Sequence, residues 1–174
     1  MAKQNKFYLR LAAFVAAVVI LLAAGPFYIV NEGDQAVVTA RKPETVKELV
    51  DQYPDTAVSV VLDVCSQESI DEAVKVAYTK FGTVDVLVNN AGYGYRSAVE
   101  EGEDSEVRKM YETNLFGPIA LIKAVLPKMR EQKSGYILNV TSIASARSAV
   151  GSAYYASSKA ALELLTNGLM KEVA

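Results

Sequence analysis

Tyr155 and Lys159 stand four residues apart in the run Tyr155-Ala-Ser-Ser-Lys159-Ala-Ala-Leu-Glu-Leu-Leu. On a helix that spacing puts both side chains on one face, one turn from each other. An ammonium beside a phenol favours the phenolate and draws its pKa down from a reference value near ~10. A tyrosine so tuned can give a proton to a substrate oxygen or take one from it. Ser142 follows the strand-like Tyr136-Ile-Leu-Asn-Val-Thr and sits just past a strand end, where open α/β sheets place their ligands. Taken alone, a tyrosine and a lysine at this spacing also describe many solvated amphipathic helices. The segments around them decide between the two readings.

Composition removes several alternatives. The 174 residues contain no histidine, which excludes Ser-His-Asp and Cys-His nucleophile systems and histidine-based zinc sites. The net charge is −2 and no basic block occurs, so nucleic acid is not an expected partner. The single cysteine, Cys65, permits no internal disulfide, and after the strand-like run at 58–64 it reads as a small buried hydrophobe rather than a reactive thiol. The length suits one domain with a sizeable core.

Apolar periodicity and breaker residues supply the positioning elements. Strand patterns occur at 35–41, 58–62, 84–88 and 137–140. Helix patterns occur at 43–49, at 66–78 with Ser66 as a cap, at 103–131 with a bend near Gly117-Pro118, and at 154–173. Strand and helix alternate, which predicts a parallel sheet with right-handed crossovers.

Val84-Asp-Val-Leu-Val-Asn89-Asn90-Ala91-Gly92, Tyr111-Glu-Thr-Asn114, Asn139-Val-Thr-Ser142 and Tyr155-Ala-Ser-Ser-Lys159, in this order and spacing, resemble the short-chain dehydrogenase/reductase family over about residues 33–174. The resemblance implies a Rossmann-type three-layer α/β fold and hydride transfer between a nicotinamide cofactor and a carbonyl or alcohol substrate. It implies catalytic roles for Asn114, Ser142, Tyr155 and Lys159. Ser142 would bond the substrate carbonyl, Tyr155 would be the acid/base, and Lys159 would tune it and hold the nicotinamide ribose. Asn114 would place the lysine through water. Arg41, Asp63, Val64, Asn89, Ala91 and Gly92, together with Tyr155 and Lys159, would line the cofactor. The basic Arg41 at the strand end favours NADP(H) over NAD(H). Tyr154 is out of register with Lys159 and is expected to pack. The helices at 103–131 and 154–173 resemble those used by family members to form homodimers. Asn139-Val140-Thr141 is a formal glycosylation acceptor that falls on a core strand, where it is expected to be chance.

The N-terminus departs from the family pattern. Residues 11–30 carry no charge and are long enough to span a bilayer as a helix, with Lys3, Lys6 and Arg10 before them. The expectation is an uncleaved basic/apolar anchor segment over 1–32, its apolar helix at 11–30, ahead of an incomplete dehydrogenase domain over 33–174, with a signal peptide as nearest competitor. The protein is then membrane-anchored if 11–30 spans, and cytoplasmic otherwise. Residues 27–38 also resemble the start of stomatin/prohibitin-type membrane proteins. The family's glycine-rich phosphate turn has no counterpart, since Gly25 is the only glycine between Ala23 and Gly33 and proline follows it. The family's central strand is unassigned, and the apolar stretch 15–22 either fills that slot or leaves it empty, because it cannot both span a membrane and complete a sheet. The family also continues past residue 174 into a further strand and a substrate-covering loop. Two functions follow: an NADP(H)-dependent carbonyl reductase or alcohol dehydrogenase, or an inactive membrane-tethered fragment or interaction module.

Overall fold

The computed structural model describes residues 18–21 and 34–174. Five strands, β1 (Val18–Leu21), β2 (Ala36–Ala40), β3 (Ala57–Val61), β4 (Val86–Asn89) and β5 (Tyr136–Asn139), form one sheet in the order β3-β2-β1-β4-β5. Every pairing is parallel. The chain therefore has the expected α/β Rossmann-type architecture.

The central slot is filled. β1 pairs Val18 with Ala36 of β2 on one side and with Val86 of β4 on the other. This corrects the expected anchor helix, since the middle of the apolar stretch is strand. An all-apolar run is what a strand buried within a parallel sheet requires, so the same residues satisfy both patterns. Among the described residues no helix is long and apolar enough to cross a membrane. The rest of the expected span, 11–17 and 22–30, lies outside the described residues, as does the segment 22–33 in which the phosphate turn was sought.

Two cores flank the sheet because successive strand side chains face opposite ways. Val37 and Leu87 join Ile70, Ala77, Leu121 and Val125 on one face. Ala36, Val38 and Ala40 join Val46 and Ala57 on the other. The first core is roofed by α2 (Gln67–Phe81), α4 (Gly117–Gln132) and α5 (Ala153–Glu172), the second by a short turn at Pro43–Val46 running into α1 (Lys47–Gln52). Ser66 caps α2 by accepting the Ser69 amide at 3.2 Å.

The long helix expected at 103–131 is three pieces. α3 (Asp104–Tyr111) passes into a wider π turn, Glu112–Phe116, and then into α4. Pro118 has no N–H to offer the carbonyl four residues back, Asn114, and Gly117 instead donates to Glu112, five residues back. Gly117 also lies against the turn after β3, where a Cβ would stand 2.8 Å from Val64 Cβ. The bend is thus a widened turn that carries Asn114.

Candidate active site

The carboxyl ends of β4 and β5 and the first turns of α5 meet at one place. β4 ends in Asn89, and the chain continues through Asn90 and Ala91 to Gly92. A Cβ at Gly92 would lie 3.1 Å from both Asn114 Oδ1 and Lys159 Nζ. A side chain here would force one or both groups to give way by a few tenths of an ångström, so glycine is what allows this close approach.

Asn114 is fully buried in the π turn. Its Nδ2 donates to the Tyr93 carbonyl at 2.9 Å and to Ser158 Oγ at 3.1 Å, and its Oδ1 accepts the Tyr93 amide at 3.0 Å. Asparagine is a poor helix former, and the wider turn lets it bond a neighbouring loop instead of its own helix. Ser158 passes the connection on by donating to the Tyr155 carbonyl at 2.8 Å.

Lys159 is only 4% exposed. Its Nζ donates to the Val140 carbonyl at 2.8 Å, just past β5. Burial pulls its pKa below the usual lysine value. Among the described residues no carboxylate forms an ion pair with it, the ion pairs there being Lys47–Asp51, Lys75–Glu72 and Lys109–Glu106 on the surface.

Ser142 opens a tight turn, Ile143–Ser145, and its Oγ accepts the Ala144 amide at 3.1 Å. That contact uses an oxygen lone pair and leaves the hydroxyl proton for another acceptor. Tyr155, half-buried in the first turn of α5, lines a cavity of about 430 Å³ that also takes in Gly94 and Ala144. Its neighbour Tyr154 turns away, donating to the Val99 carbonyl at 2.6 Å, and packs as expected.

Asn89 is buried and donates through Nδ2 to Asn139 Oδ1 at 2.8 Å, while its own Oδ1 has no partner among the described residues. Asn139 in turn donates to Thr166 Oγ1 at 2.9 Å, so the formal glycosylation acceptor ties β5 to α5. Ala91 is half-buried between Asn89 and Gly92.

The remaining expected residues lie at the ends of β2 and β3. Arg41 is exposed directly after β2, beside Lys42, a second cation that the sequence reading passed over. Asp63 accepts the Cys65 amide through Oδ1 at 3.0 Å, and Val64 is buried against Gly117. Cys65 is exposed rather than buried, because it sits in that turn and not on the strand. Desolvation pushes its thiol pKa up, Asp63 and Glu112 add to the rise, and a bond with Thr113 opposes it, so the thiol is not activated.

These residues suit a nicotinamide dinucleotide: a glycine backbone at the end of β4 held close to Asn114 and Lys159, a buried ammonium there, and exposed cations at the end of β2. The family model for short chain dehydrogenases matches residues 27–174. The chain belongs to the short chain dehydrogenase family. That match takes in residues 27–38, whose likeness to stomatin/prohibitin-type proteins finds no other support.

Relatives agree. An oxidoreductase of Botryotinia fuckeliana is 41% identical over 145 residues, covering 83% of this chain and 53% of the relative. An uncharacterized oxidoreductase of Staphylococcus saprophyticus is 37% identical, covering 83% of this chain and 63% of the relative. Among solved structures, a short-chain dehydrogenase from Streptomyces avermitilis superposes with a TM-score of 0.86 at 39% identity, covering 91% of this chain and 61% of that one. A metagenomic short-chain oxidoreductase in complex with NADP gives a TM-score of 0.76 at 28% identity, covering 82% of this chain and 66% of that one. The chain thus spans between about half and two thirds of the length of these relatives.

Proposed function

We propose that this chain carries the nicotinamide site and the proton-transfer machinery of an oxidoreductase that interconverts a small carbonyl compound and its alcohol. The observation that carries the reading is Lys159. A buried ammonium bonded to a neutral carbonyl costs stability, and such a cost is characteristic of sites where chemistry uses the charge.

A bound nicotinamide dinucleotide supplies or accepts the hydride. The chain's own residues do the rest. Tyr155 gives the proton to the substrate oxygen during reduction and takes it back during oxidation. Ser142 donates a hydrogen bond to the same oxygen and stabilises the charge that develops on it. Lys159 steadies the phenolate and binds the ribose. Asn114 acts as a positioning residue, holding the Tyr93 backbone and the first turn of α5 and, through water, Lys159. Asn89, Ala91 and Gly92 line the cofactor, Asp63 and Val64 border its adenine, and Arg41 with Lys42 favours the 2′-phosphate of NADP(H) over NAD(H).

Domain organisation follows the same proposal: the segment 1–32 gives its middle residues, Val18–Leu21, to the sheet of the 33–174 domain. Residues so committed do not cross a bilayer. α3 with α4, and α5, remain the helices proposed to form a homodimer, and a monomer by light scattering contradicts that part.

The test is NADPH oxidation with a panel of aldehydes and ketones, comparing the native chain with Tyr155→Phe. Loss of the phenolic proton should lower kcat by roughly 10²–10⁴-fold while NADPH still binds. Equal turnover in the two proteins contradicts the assignment of Tyr155.

A further inference from the structure

The cavity beside Tyr155 carries charge that the proposed reaction does not use. Arg96, from the loop after β4, and Arg147, from the loop between β5 and α5, line the same hollow of about 430 Å³ as Tyr155. Both arginines are exposed, and neither forms an ion pair with any described residue. No aspartate or glutamate contributes to the lining. Glu163, the carboxylate that reaches the turn at Ile143–Ser145, is bonded to Ser145 Oγ. Ile143, Ala144 and Ala149 supply an apolar wall.

Two arginines from loops some fifty residues apart in sequence thus converge on the wall that holds the proton donor. Guanidinium groups are permanently charged, and their planar forks match carboxylate, sulfonate and phosphate oxygens. We infer that the site selects carbonyl substrates bearing an anionic group next to an apolar body, with Arg96 and Arg147 as the specificity-determining pair. The inference rests on the reductase reading of the same site. The substrate's carbonyl carbon gains the hydride of NADPH, its oxygen gains the proton of Tyr155, and NADPH leaves as NADP⁺.

The experiment compares 4-carboxybenzaldehyde with its methyl ester, methyl 4-formylbenzoate, at equal NADPH. The two share a reacting group and an aromatic body and differ by one charge. The kcat/KM ratio, acid over ester, should be roughly tenfold or more in the native chain, the worth of one charge-assisted contact. It should fall towards one in Arg96→Gln/Arg147→Gln and lie between the two in Arg96→Lys/Arg147→Lys, which keeps the charge and loses the planar fork. It should also shrink as salt rises, because the contacts are exposed. A ratio near one in the native chain, or a ratio untouched by the double Gln variant, overturns the inference and leaves the reductase reading intact. If the double Gln variant weakens NADPH binding instead of changing the ratio, the arginines serve the cofactor and the inference falls. If neither aldehyde is reduced, the reductase reading fails separately, and equilibrium binding of 4-(hydroxymethyl)benzoate decides. Binding that drops about tenfold in the double Gln variant upholds the anion site, and binding that is absent or unchanged overturns it.

Discussion

Lys159 was legible in the sequence as one member of a Tyr-x-x-x-Lys pair, but not as a buried group. Its surroundings come from three other segments: Gly92 after β4, Val140 after β5 and Asn114 in the π turn. Burial lowers its pKa, so the charged form is the one the fold disfavours. Below the folded-state pKa both folded and unfolded chains are protonated, and the folded chain carries the full cost. Between that value and the unfolded value near ~10.4 the unfolded chain binds more protons, so stability rises with pH. Lys159→Met should therefore melt higher than the native chain at pH 7, and its advantage should shrink as pH is raised towards ~10. Tyr78 and Cys65, both pushed up mainly by burial, act in the opposite sense but are common to the two proteins and cancel in the difference. A difference that stays constant with pH contradicts the buried-ammonium account. Arg96 and Arg147 escaped the sequence reading for a related reason: a cavity assembled from separate loops leaves no local motif.

At the scale of elements, the bounds of β2 to β5 were read to within about two residues and the outer ends of the helices that follow them to within about three, because a strand buried on both faces or a helix packed on one leaves a periodic signal. The π turn left no such signal. It follows from the proline at 118 and from the contact between Gly117 and Val64, which is tertiary. Cys65 was misplaced for a similar reason, since Asp63 turns the chain out of the strand immediately before it. Gly117→Ala tests the packing. An added methyl would sit 2.8 Å from Val64 Cβ and 3.0 Å from the Val64 carbonyl oxygen, both hard to move. Crowding of this kind costs about 1–3 kcal/mol, against ~1 kcal/mol gained by replacing glycine in a helix. The expected result is a net loss of stability in chemical denaturation. A more stable variant shows that the close approach of Gly117 to β3's end is not a constraint.

For the whole molecule, the ambiguity lay in one apolar stretch. Its composition fits a membrane helix and a central strand equally well, and only the sheet's need for a strand between β2 and β4 separates them. Val19→Pro distinguishes the two physically. Val19 pairs with Val37 and Leu87, and proline in a central strand removes a ladder hydrogen bond. A loss of about 3 kcal/mol or more, or loss of a cooperative transition altogether, is expected by circular dichroism. An unchanged melt means that the dehydrogenase domain does not use β1.

Val18–Leu21 complete a continuous five-stranded parallel sheet, and on the function proposed above that sheet holds a nicotinamide dinucleotide. Thermal unfolding of the purified chain with and without NADPH tests it most directly. A cofactor that binds only the folded state, present at ~100 times its dissociation constant, adds about 2.7 kcal/mol. The expected result is one cooperative transition that moves upward as NADPH is raised. A broad transition that stays where it is through millimolar NADPH contradicts the claim.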